Sequence, residues 1–571
     1  MRSNQIIIGT SDQKGIQMKT VYYGPNCGLT PKPGVECSAK LQAFFDAAKE
    51  DAQLILAPGD YYLENRIVLE NLRNVSVLGY GARFIAHFDQ IDPYTFQACF
   101  GVNNCENLSL EGFVLTTDNP ANTAGRVISI DREKLEMDIL LDDGFALTGK
   151  ERIFSVDSFD EGASGPNWHV FFADDGGQKG KGYRYKRIGD RMIRMFCWPS
   201  TGVQILNLTP GERLCMRHSL YPTNQITFRN CSNVLLQDIT VESSPGESCA
   251  IYPRCRDFTF KRFAIRLPAG SKRIYASNAD GIHITGLGGK LVVEDCVFEN
   301  LGDDALNVHT TGAVVTGVEA DVLHCTLGDR LGKVSLPLDP DWACGGDEIA
   351  VYQGDTFVKK GSLRVISYEV GRIQFADATC SIMPGDMIAN TAFCPDTVVR
   401  NCRVHGTRAR GILFQTNKVL LENCTFSDIS HQAIQITSDM TRWSEMCPCE
   451  EVVIRNNVFY RGGMSCQNMR SAGIAVGIGH GGGCYDYRQA NGVHGNITIT
   501  GNRFYELKDA AVFADRVCSM TITDNEFVRC CTRIEGRPED YCGTVVLFNC
   551  EQVQMEKNQY MDEPDSRIIR R

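Results

Sequence analysis

The first regular pattern along the chain is helical and spans positions 38–48. Its apolar residues recur at the i, i+3, i+4 and i+7 spacing that places side chains on one face of a helix. Ser38 stands at the start of the pattern and suits an N-cap, because its hydroxyl can accept a hydrogen bond from a free backbone N–H group. We therefore predict one amphipathic helix near the start of the chain.

Beyond position 54 the pattern changes to short runs in which apolar and polar residues alternate, which predicts β-strands. Many runs share one form: alternating apolar residues, an acid or amide turn, and then a further apolar residue. Where no longer loop intervenes, the last apolar residues of successive copies stand 22 to 24 positions apart. Those last apolar residues are Val241, Ile265, Phe298, Val404, Phe426, Phe459, Phe504 and Phe527.

A repeat of this length, with two or three short strands and polar corners, is what each coil of a parallel β-helix requires. A leucine-rich repeat has a similar period, but these copies carry β-branched residues, Phe and Cys instead of the leucine consensus. Longer steps indicate coils with longer corner loops, which commonly build the binding face. We therefore predict an all-β protein built on a right-handed parallel β-helix.

Two stretches, 124–216 and 312–390, show alternating strands with charged turns and lack the coil motif. We interpret each as a small β-barrel-like domain inserted at a corner of the helix. The other predicted divisions are 20–123 for the cap helix and first coils, 217–311 for the coils with the candidate catalytic residues, and 391–560 for the C-terminal coils.

Charge and hydropathy narrow the classes of partner. The 571 residues carry a net charge of -11, with acids and bases mixed along the chain, so we expect no nucleic-acid partner. We expect no membrane partner either, because no apolar run reaches about 18 residues. The apolar trio at 6–8 is too short for a signal-peptide core, so we expect a cytoplasmic protein, or a secreted one if a leader has been removed. A homo-oligomer is compatible with these features.

The 25 cysteines are expected to be reduced. Many of them, such as Cys296, Cys402 and Cys424, stand inside apolar strand patterns, where a free thiol behaves as a small hydrophobic group. Cys447 and Cys449 form the one tight pair, but they lack partners at zinc-site spacing. We predict no metal and no cofactor.

The candidate chemistry lies in two neighbouring coils, at Asp280 and at the pair Asp303 and Asp304. The step from Asp280 to Asp303 is 23 positions, or one coil, so we expect these two aspartates to stack on rungs about 4.8 Å apart. Three carboxylates this close raise one another's pKa, which places a general acid beside a general base. That arrangement is typical of glycoside hydrolysis.

Two other readings of the aspartates are a ladder that satisfies the coil turns and a calcium site. Gly281 and Gly302 flank the acids, and three further polar residues crowd the same coils, which favours catalysis. These three, His283, Asn307 and His309, are predicted to hydrogen-bond the acids or the substrate.

The strings 280–283 and 302–309, with Ala409-Arg410-Gly411, 439–443 and Glu445, resemble glycoside hydrolase family 110, the α-1,3-galactosidases. The Asp-Asp-Ala-x-Asn-Val-His string is the most specific of these motifs. The resemblance implies an inverting exo-hydrolase that needs no metal. Its substrate would be a glycan with terminal α-1,3-linked galactose, of the blood group B type or the linear α-galactosyl type.

The resemblance runs from about position 22 to 527 and makes Asp280 the acid and the Asp303 and Asp304 pair the base side. Polygalacturonases show a similar arrangement, with Asn-Thr-Asp one coil before an Asp-Asp pair, but this chain has Asn278-Ala279-Asp280 and no clear Arg-Ile-Lys motif. Their acid is the first member of the pair, so the acid and base roles stay open. A polygalacturonase-like hydrolase of acidic polysaccharide and a non-catalytic glycan-binding β-helix are the alternative functions.

Four further residues complete the predicted substrate-binding set. Arg217 lies where the first insert returns to the helix, Arg273 precedes Asp280 by seven positions, and Arg410 belongs to the family-like string. The planar guanidinium of each suits hydrogen bonds to sugar hydroxyls. Trp443 lies in a long corner loop, where its ring can stack on the apolar face of galactose.

Overall fold

The computed structural model describes residues 6–12, 15–87, 99–149, 151–159, 166–172, 183–197, 208–218, 223–327, 338–354, 356–440, 443–463, 472–477, 493–533, 538–561 and 568–571. An antiparallel hairpin, Ile6–Asp12 with Gly15–Tyr23, begins this part of the chain. Among the described residues, no helix is long and apolar enough to cross a bilayer. Short 3-10 helices cover Gly24–Cys27, Thr391–Phe393 and Glu539–Tyr541.

The predicted amphipathic helix is confirmed as Ser38–Asp46, and its apolar face packs on the first coils. The predicted N-cap role of Ser38 is wrong, because the cap residue is Cys37 and no side chain caps the helix. The hydroxyl of Ser38 instead accepts hydrogen bonds from the backbone N–H groups of Glu64 and Asn65, each at 3.2 Å. Ser38 therefore ties the helix to a coil corner.

Outside the two inserts, the described strands beyond this helix stack in parallel into three sheets, and Gly15–Tyr23 joins the first of them, so the predicted β-helix is confirmed. Sheet 1 contains Gly15–Tyr23, Glu50–Ile55, the first half of Arg73–Ala86 and of Glu106–Thr117, Ser232–Gln237, Cys255–Lys261, Leu287–Glu294, Asp396–Arg400, Lys418–Glu422, Glu451–Arg455, His494–Thr500, Val517–Thr523 and Val553–Glu556. Sheet 2 contains Gly59–Leu63, the second half of Arg73–Ala86 and of Glu106–Thr117, Thr240–Val241, Ala264–Ile265, Val297–Leu301, Arg403–Thr407, Thr425–Ile429, Val458–Gly462, Arg503–Tyr505, Glu526–Val528 and Gln559–Met561. Sheet 3 contains Ile67–Glu70, Phe100–Asn103, Ile226–Arg229, Cys249–Ile251, Ile282–Ile284, Leu306–Val308, Ile412–Phe414, Ile434–Ile436, Ala472–Val476, Ala510–Asp515, Val545–Phe548 and Ile568–Arg570.

The first insert is an antiparallel sheet of seven strands with its own apolar core. An isolated bridge between Ile153 and Tyr183, which precede Ser155–Phe159 and Arg184–Gly189, links the two sides of this sheet and gives it a barrel-like form. Its strands are Asn122–Asp131, Glu136–Leu141, Ser155–Phe159, Pro166–Phe172, Arg184–Gly189, Met192–Phe196 and Arg213–Arg217.

The second insert closes into a barrel, because Thr310–Glu319 pairs with both Val322–Thr326 and Met387–Ala389. Its remaining strands are Glu348–Tyr352, Lys359–Glu369 and Arg372–Ala378. The short strand Glu445–Met446 joins the barrel from the C-terminal coils by pairing with Thr311 and Thr310.

The apolar columns of the repeat stack as their spacing predicts. Parallel pairing places Phe426, Phe459, Phe504 and Phe527 in register. The rings stack with centroids 5.1, 4.7 and 5.1 Å apart along this column. The column fills the interior between the sheets, where each ring excludes water from the next coil.

Asparagines form a second column at the corner between sheets 1 and 2. The side-chain oxygen of Asn502 accepts hydrogen bonds from the backbone N–H of Asn457, at 2.9 Å, and from its side-chain amide, at 3.0 Å. Asn525 does the same for Asn502, and Asn558 for Asn525. The column satisfies polar groups that stacking would otherwise bury without partners.

We expect Asn502→Ala to lower the free energy of unfolding by about 3 kcal/mol, because two buried donors of Asn457 lose their acceptor. Asn496→Ala, an exposed site on the same coil, should change it by less than about 0.5 kcal/mol. Chemical denaturation of both variants measures the difference. Equal effects would mean that the column does not stabilise the helix.

Candidate active site

The three aspartates lie in turns that lead into neighbouring strands of sheet 3. Asp280 precedes Ile282–Ile284, and Asp303 and Asp304 precede Leu306–Val308. All three are buried, with residue exposures of 4%, 8% and 1% in chain order. One carboxylate oxygen from each lies within 4.8 Å of the others. The structure therefore brings the predicted trio together.

Two glycines allow these turns to approach each other. A Cβ atom at Gly281 would lie 2.5 Å from the carbonyl oxygen of Ala305, and one at Gly302 would lie 2.4 Å from that of Asn278. Both distances are far below van der Waals contact, so any side chain at either position would push the aspartate turns apart.

The register pairs Asp280 with Asp304, so the expectation that Asp280 stacks on Asp303 is wrong by one residue. Strand pairing places Ile282 opposite Leu306, an offset of 24 positions. The backbone N–H of Asp304 donates to Oδ1 of Asp280 at 3.1 Å. Ser277 pairs with Leu301 at the same offset, so the two turns are equally long, and Asp303 stands opposite Ala279, beside this pair.

Asp304 is fixed by Arg410. Its Oδ1 accepts the backbone N–H of Arg410 at 2.9 Å and Nε at 2.7 Å, and its Oδ2 accepts Nη2 at 2.6 Å. Burial raises the pKa of the Asp304 carboxyl, while the charge of Arg410 opposes that rise. Arg410 thus borders the cluster as predicted, and its contact with a substrate stays a prediction.

Asp303 pairs with Arg408, a residue that the sequence did not single out. Nη2 of Arg408 lies 2.9 Å from Oδ2 of Asp303, and both side chains are about nine-tenths buried. Nε of Arg408 donates to the carbonyl oxygen of Gly302. Its position two residues before Arg410, in the turn stacked on the aspartate pair, is the signal that could have identified it.

Asp280 contacts His283, which in turn contacts His309. Nδ1 of His283 lies 2.6 Å from Oδ2 of Asp280, and the Nε2 atoms of the two histidines are 3.1 Å apart. Burial raises the pKa of Asp280 to about 8, although His283 opposes the rise. Burial lowers the pKa of His283, but the charges of Glu247 and then Asp280 outweigh it, so this pKa is raised. Burial lowers the pKa of His309.

Glu445 reaches the site because Glu445–Met446 pairs with the edge of the second barrel. Its Oε1 accepts the amide of Asn307 at 3.3 Å, and its Oε2 accepts the amide of Gln415 at 2.5 Å. Oε1 also lies 3.7 Å from Nε2 of His309. Glu445 entered the sequence reasoning only through the family-like motifs, and neither Glu247 nor Gln415 was predicted.

Arg217 does not face the site, so its prediction as a substrate-binding residue is wrong. Its side chain has no exposed area, and it forms an ion pair with Asp157 at 3.1 Å. It donates to Ser155 Oγ at 2.6 Å and to the carbonyl oxygens of Asn278 and Gly302 at 2.8 and 3.3 Å. Arg217 therefore hydrogen-bonds the backbone of both turns that carry the aspartates.

Arg273 lies apart from the aspartates. It donates to the carbonyl oxygen of Glu242 at 3.0 Å and lines a cavity of about 450 Å³ between the first insert and the helix. None of the three aspartates is among the described residues that line this cavity. Trp443 is 38% exposed and stands two positions before Glu445. Substrate contacts of Arg273 and Trp443 stay predictions.

Three overlapping sets of side chains have donor atoms within 4.8 Å of one another, as a bound cation would need. Each set already forms hydrogen bonds or ion pairs within the protein. The sequence prediction that the site holds no metal stays a prediction. The sets are Asp280 with Asp303 and Asp304, Glu247 with Asp280 and His283, and His283 with His309 and Glu445.

A comparison with protein-family models agrees with the fold. A family model described as "Right handed beta helix region" matches residues 388–563, which confirms the predicted handedness. An exopolygalacturonase structure from Thermotoga maritima superposes over 96% of this chain and 93% of that chain, with 12% sequence identity and a TM-score of 0.43.

Sequence relatives are named alpha-1,3-galactosidase B. The protein from Akkermansia muciniphila is 27% identical over 484 residues, which cover 81% of this chain and 57% of that protein. The protein from Bacteroides thetaiotaomicron is 24% identical over 572 residues, covering 91% of this chain and 89% of that protein. The chain thus spans little more than half of one relative and most of the other.

Proposed function

We propose that this chain is an exo-acting glycoside hydrolase of family 110 that releases terminal α-1,3-linked galactose with inversion and without a cofactor. The observation that carries the proposal is the convergence of three buried aspartates, one of which has a pKa of about 8. Its similarity to proteins named alpha-1,3-galactosidase supports the reaction and the sugar. A cytoplasmic location and a homo-oligomer stay predictions.

Asp280 is the general acid in this proposal. A general acid must hold its proton near the working pH. Burial raises the pKa of Asp280 to about 8, and the neighbouring carboxylates Asp304 and Asp303 add to the rise. Asp280 therefore keeps a proton at neutral pH and can protonate the glycosidic oxygen as the bond breaks.

Asp303 is the base that takes a proton from the attacking water. Both oxygens of Asp304 already accept N–H groups of Arg410, which makes Asp304 a fixed negative charge beside the reaction. That charge suits the positive character that develops on the sugar ring in the transition state. These contacts favour Asp303 over Asp304 for proton transfer.

The surroundings of the aspartates suit a neutral sugar. The two guanidinium groups at the cluster pair with its own carboxylates, Arg408 with Asp303 and Arg410 with Asp304. The adjacent polar groups are imidazoles, amides and the carboxylates of Glu247 and Glu445. The imidazoles and amides can bind hydroxyls, and the carboxylates disfavour a negative charge on the ligand. This favours galactose over the galacturonate of the polygalacturonase-like alternative.

Inversion rests on the family resemblance. The closest oxygens of the aspartates lie within 4.8 Å, whereas the carboxyl groups of inverting enzymes are typically roughly 6.5–9.5 Å apart. The distance between nearest oxygens is shorter than that between carboxyl groups, so the stereochemistry needs its own measurement.

Proton NMR of the anomeric signals tests the reaction on a linear α-1,3-galactosyl oligosaccharide and on a fucosylated blood group B trisaccharide in parallel. We expect β-galactose to appear first, before mutarotation, and the faster substrate defines the preferred acceptor. Initial α-galactose would keep the galactosidase and overturn inversion. Galacturonic acid released from polygalacturonate, with no galactose from either glycan, would replace the proposal with the acidic-polysaccharide hydrolase.

A further inference from the structure

We propose that His283 shares the catalytic proton with Asp280, and that His309 holds His283 in the tautomer that permits this sharing. The inference rests on the proposed function and extends it to two positioning residues. It follows from which atoms can donate along one line of hydrogen bonds, which runs from Asp280 through His283 and His309 to the carbonyl of Thr310.

The line ends at a backbone carbonyl, which can only accept. Nδ1 of His309 lies 3.1 Å from the carbonyl oxygen of Thr310, so Nδ1 must carry the proton of that ring. His309 is 4% exposed, and burial lowers its pKa, so the ring is neutral. Its Nε2 therefore presents a lone pair.

That lone pair fixes the proton of the next ring. Nε2 of His283 lies 3.1 Å from Nε2 of His309. Since Nε2 of His309 offers only a lone pair, an N–H of His283 must supply the proton of this hydrogen bond. Nε2 of His283 is thus the donor. One site on His283 is left to gain or lose a proton, namely Nδ1, which faces Asp280 Oδ2 at 2.6 Å.

One proton therefore lies between His283 Nδ1 and Asp280 Oδ2. When Asp280 acts, its O–H bond breaks, an O–H bond forms on the leaving-group oxygen, and the electron pair of the glycosidic bond goes to that oxygen. Asp280 is left as an anion. Protonation of His283 Nδ1 from solvent then stabilises this anion, and transfer from Nδ1 to Oδ2 restores the acid.

Several charges set the pH at which the shared proton is lost. Asp303 and Asp304 face Asp280 from the next coil, and the charges of Arg408 and Arg410 beside them partly compensate. Glu247 lies 3.5 Å from His283 on the preceding coil, and Glu445 lies 3.7 Å from His309. Carboxylates thus surround the pair, and they favour retention of its proton.

The test compares two substrates that differ in their need for an acid. Release of galactose from an α-1,3-linked oligosaccharide needs a proton on the leaving oxygen, whereas release from 2,4-dinitrophenyl α-galactoside does not. We expect His283→Leu to lower kcat/KM on the oligosaccharide by about 10²- to 10³-fold. On the dinitrophenyl galactoside the loss should stay below about tenfold.

The pH profile tests the role of His309. For the wild type, kcat/KM on the oligosaccharide should fall as the pH rises through about 8, where Asp280 loses its proton. In His309→Leu, His283 can turn to the tautomer with its proton on Nδ1, which stabilises ionised Asp280 and moves this fall to lower pH. His309→Gln, whose amide oxygen can still accept from His283, should restore most of the wild-type profile.

His405→Gln is the matched control, because His405 also lies beside a carboxylate, Asp428 at 3.3 Å, but on sheet 2. It should leave rate and profile unchanged, and circular dichroism of all variants checks that they fold. Equal losses on both substrates, or an unmoved profile in His309→Leu, would overturn the shared proton. Loss of wild-type activity in chelator, restored by Zn²⁺, would replace it with a metal between the two Nε2 atoms. A wild type that releases no galactose from either substrate would instead refute the proposed function.

Discussion

Asp303→Asn is expected to lower turnover of an α-1,3-galactosyl oligosaccharide by about 10³-fold, because an amide cannot take a proton from the attacking water. The substitution keeps the shape of the side chain, and the amide oxygen can still accept from Arg408 Nη2, which lies 2.9 Å from Oδ2 of Asp303. The protein should therefore stay folded. Initial rates with reducing-sugar detection and a thermal melt measure the two effects.

The matched control is Asp295→Asn, the same chemical change at an exposed corner of the same coil. Asp295 has a φ of 56°, a conformation that asparagine adopts readily, so neither stability nor rate should change. Wild-type turnover by Asp303→Asn would remove Asp303 from the mechanism. A wild type that binds the glycan without forming product, with binding that survives in Asp303→Asn, would support the non-catalytic binding protein.

Much of the fold could be predicted because stacked coils repeat the same physical requirement. A position that points into the interior must be apolar in every coil, so the column of Phe426, Phe459 and Phe504 is already visible as a spacing in the amino-acid sequence. The inserts could be recognised because the repeat is absent from them. Their strands pair antiparallel, so no position has to be apolar at the spacing of one coil.

The register at the aspartates could not be predicted, because one coil takes between 22 and 24 residues and only strand pairing shows which length applies at a given place. Counting 23 positions paired Asp280 with Asp303, whereas the strands pair at an offset of 24. The trio was nevertheless found, since both members of an Asp-Asp sequence lie close to the preceding coil.

The sequence also could not predict which way an arginine side chain points. Arg217 and Arg408 both border segments rich in polar residues, yet one lies beneath the turns with no exposed area and the other pairs with Asp303. What separates them is the position of Asp157 on the neighbouring strand of the first barrel, a contact between residues 60 positions apart.

The position of Arg217 makes Arg217→Met the substitution with the largest expected effect on stability. Both side chains of its ion pair with Asp157 are fully buried, so removal of the arginine leaves a carboxylate without a counter-charge. The carbonyl groups of Asn278 and Gly302 also lose a donor. We expect the free energy of unfolding to fall by about 3–5 kcal/mol.

Two further variants separate the buried charge from the lost packing. Arg217→Met combined with Asp157→Leu removes both charges and should recover part of the stability, because no unpaired ion is then buried. Arg213→Met lies on the same strand and breaks a partly exposed pair with Asp142, so it should lower the free energy of unfolding by less than about 1 kcal/mol.

Since Arg217 hydrogen-bonds the turns that carry Asp280 and Asp303, the double variant should still turn over more slowly than the wild type at a temperature where both are folded. A double variant with wild-type turnover would show that the turns keep their positions without the Arg217 side chain. Equal losses of stability in Arg217→Met and Arg213→Met would mean that burial does not make the pair of Arg217 with Asp157 more important for stability than the exposed pair.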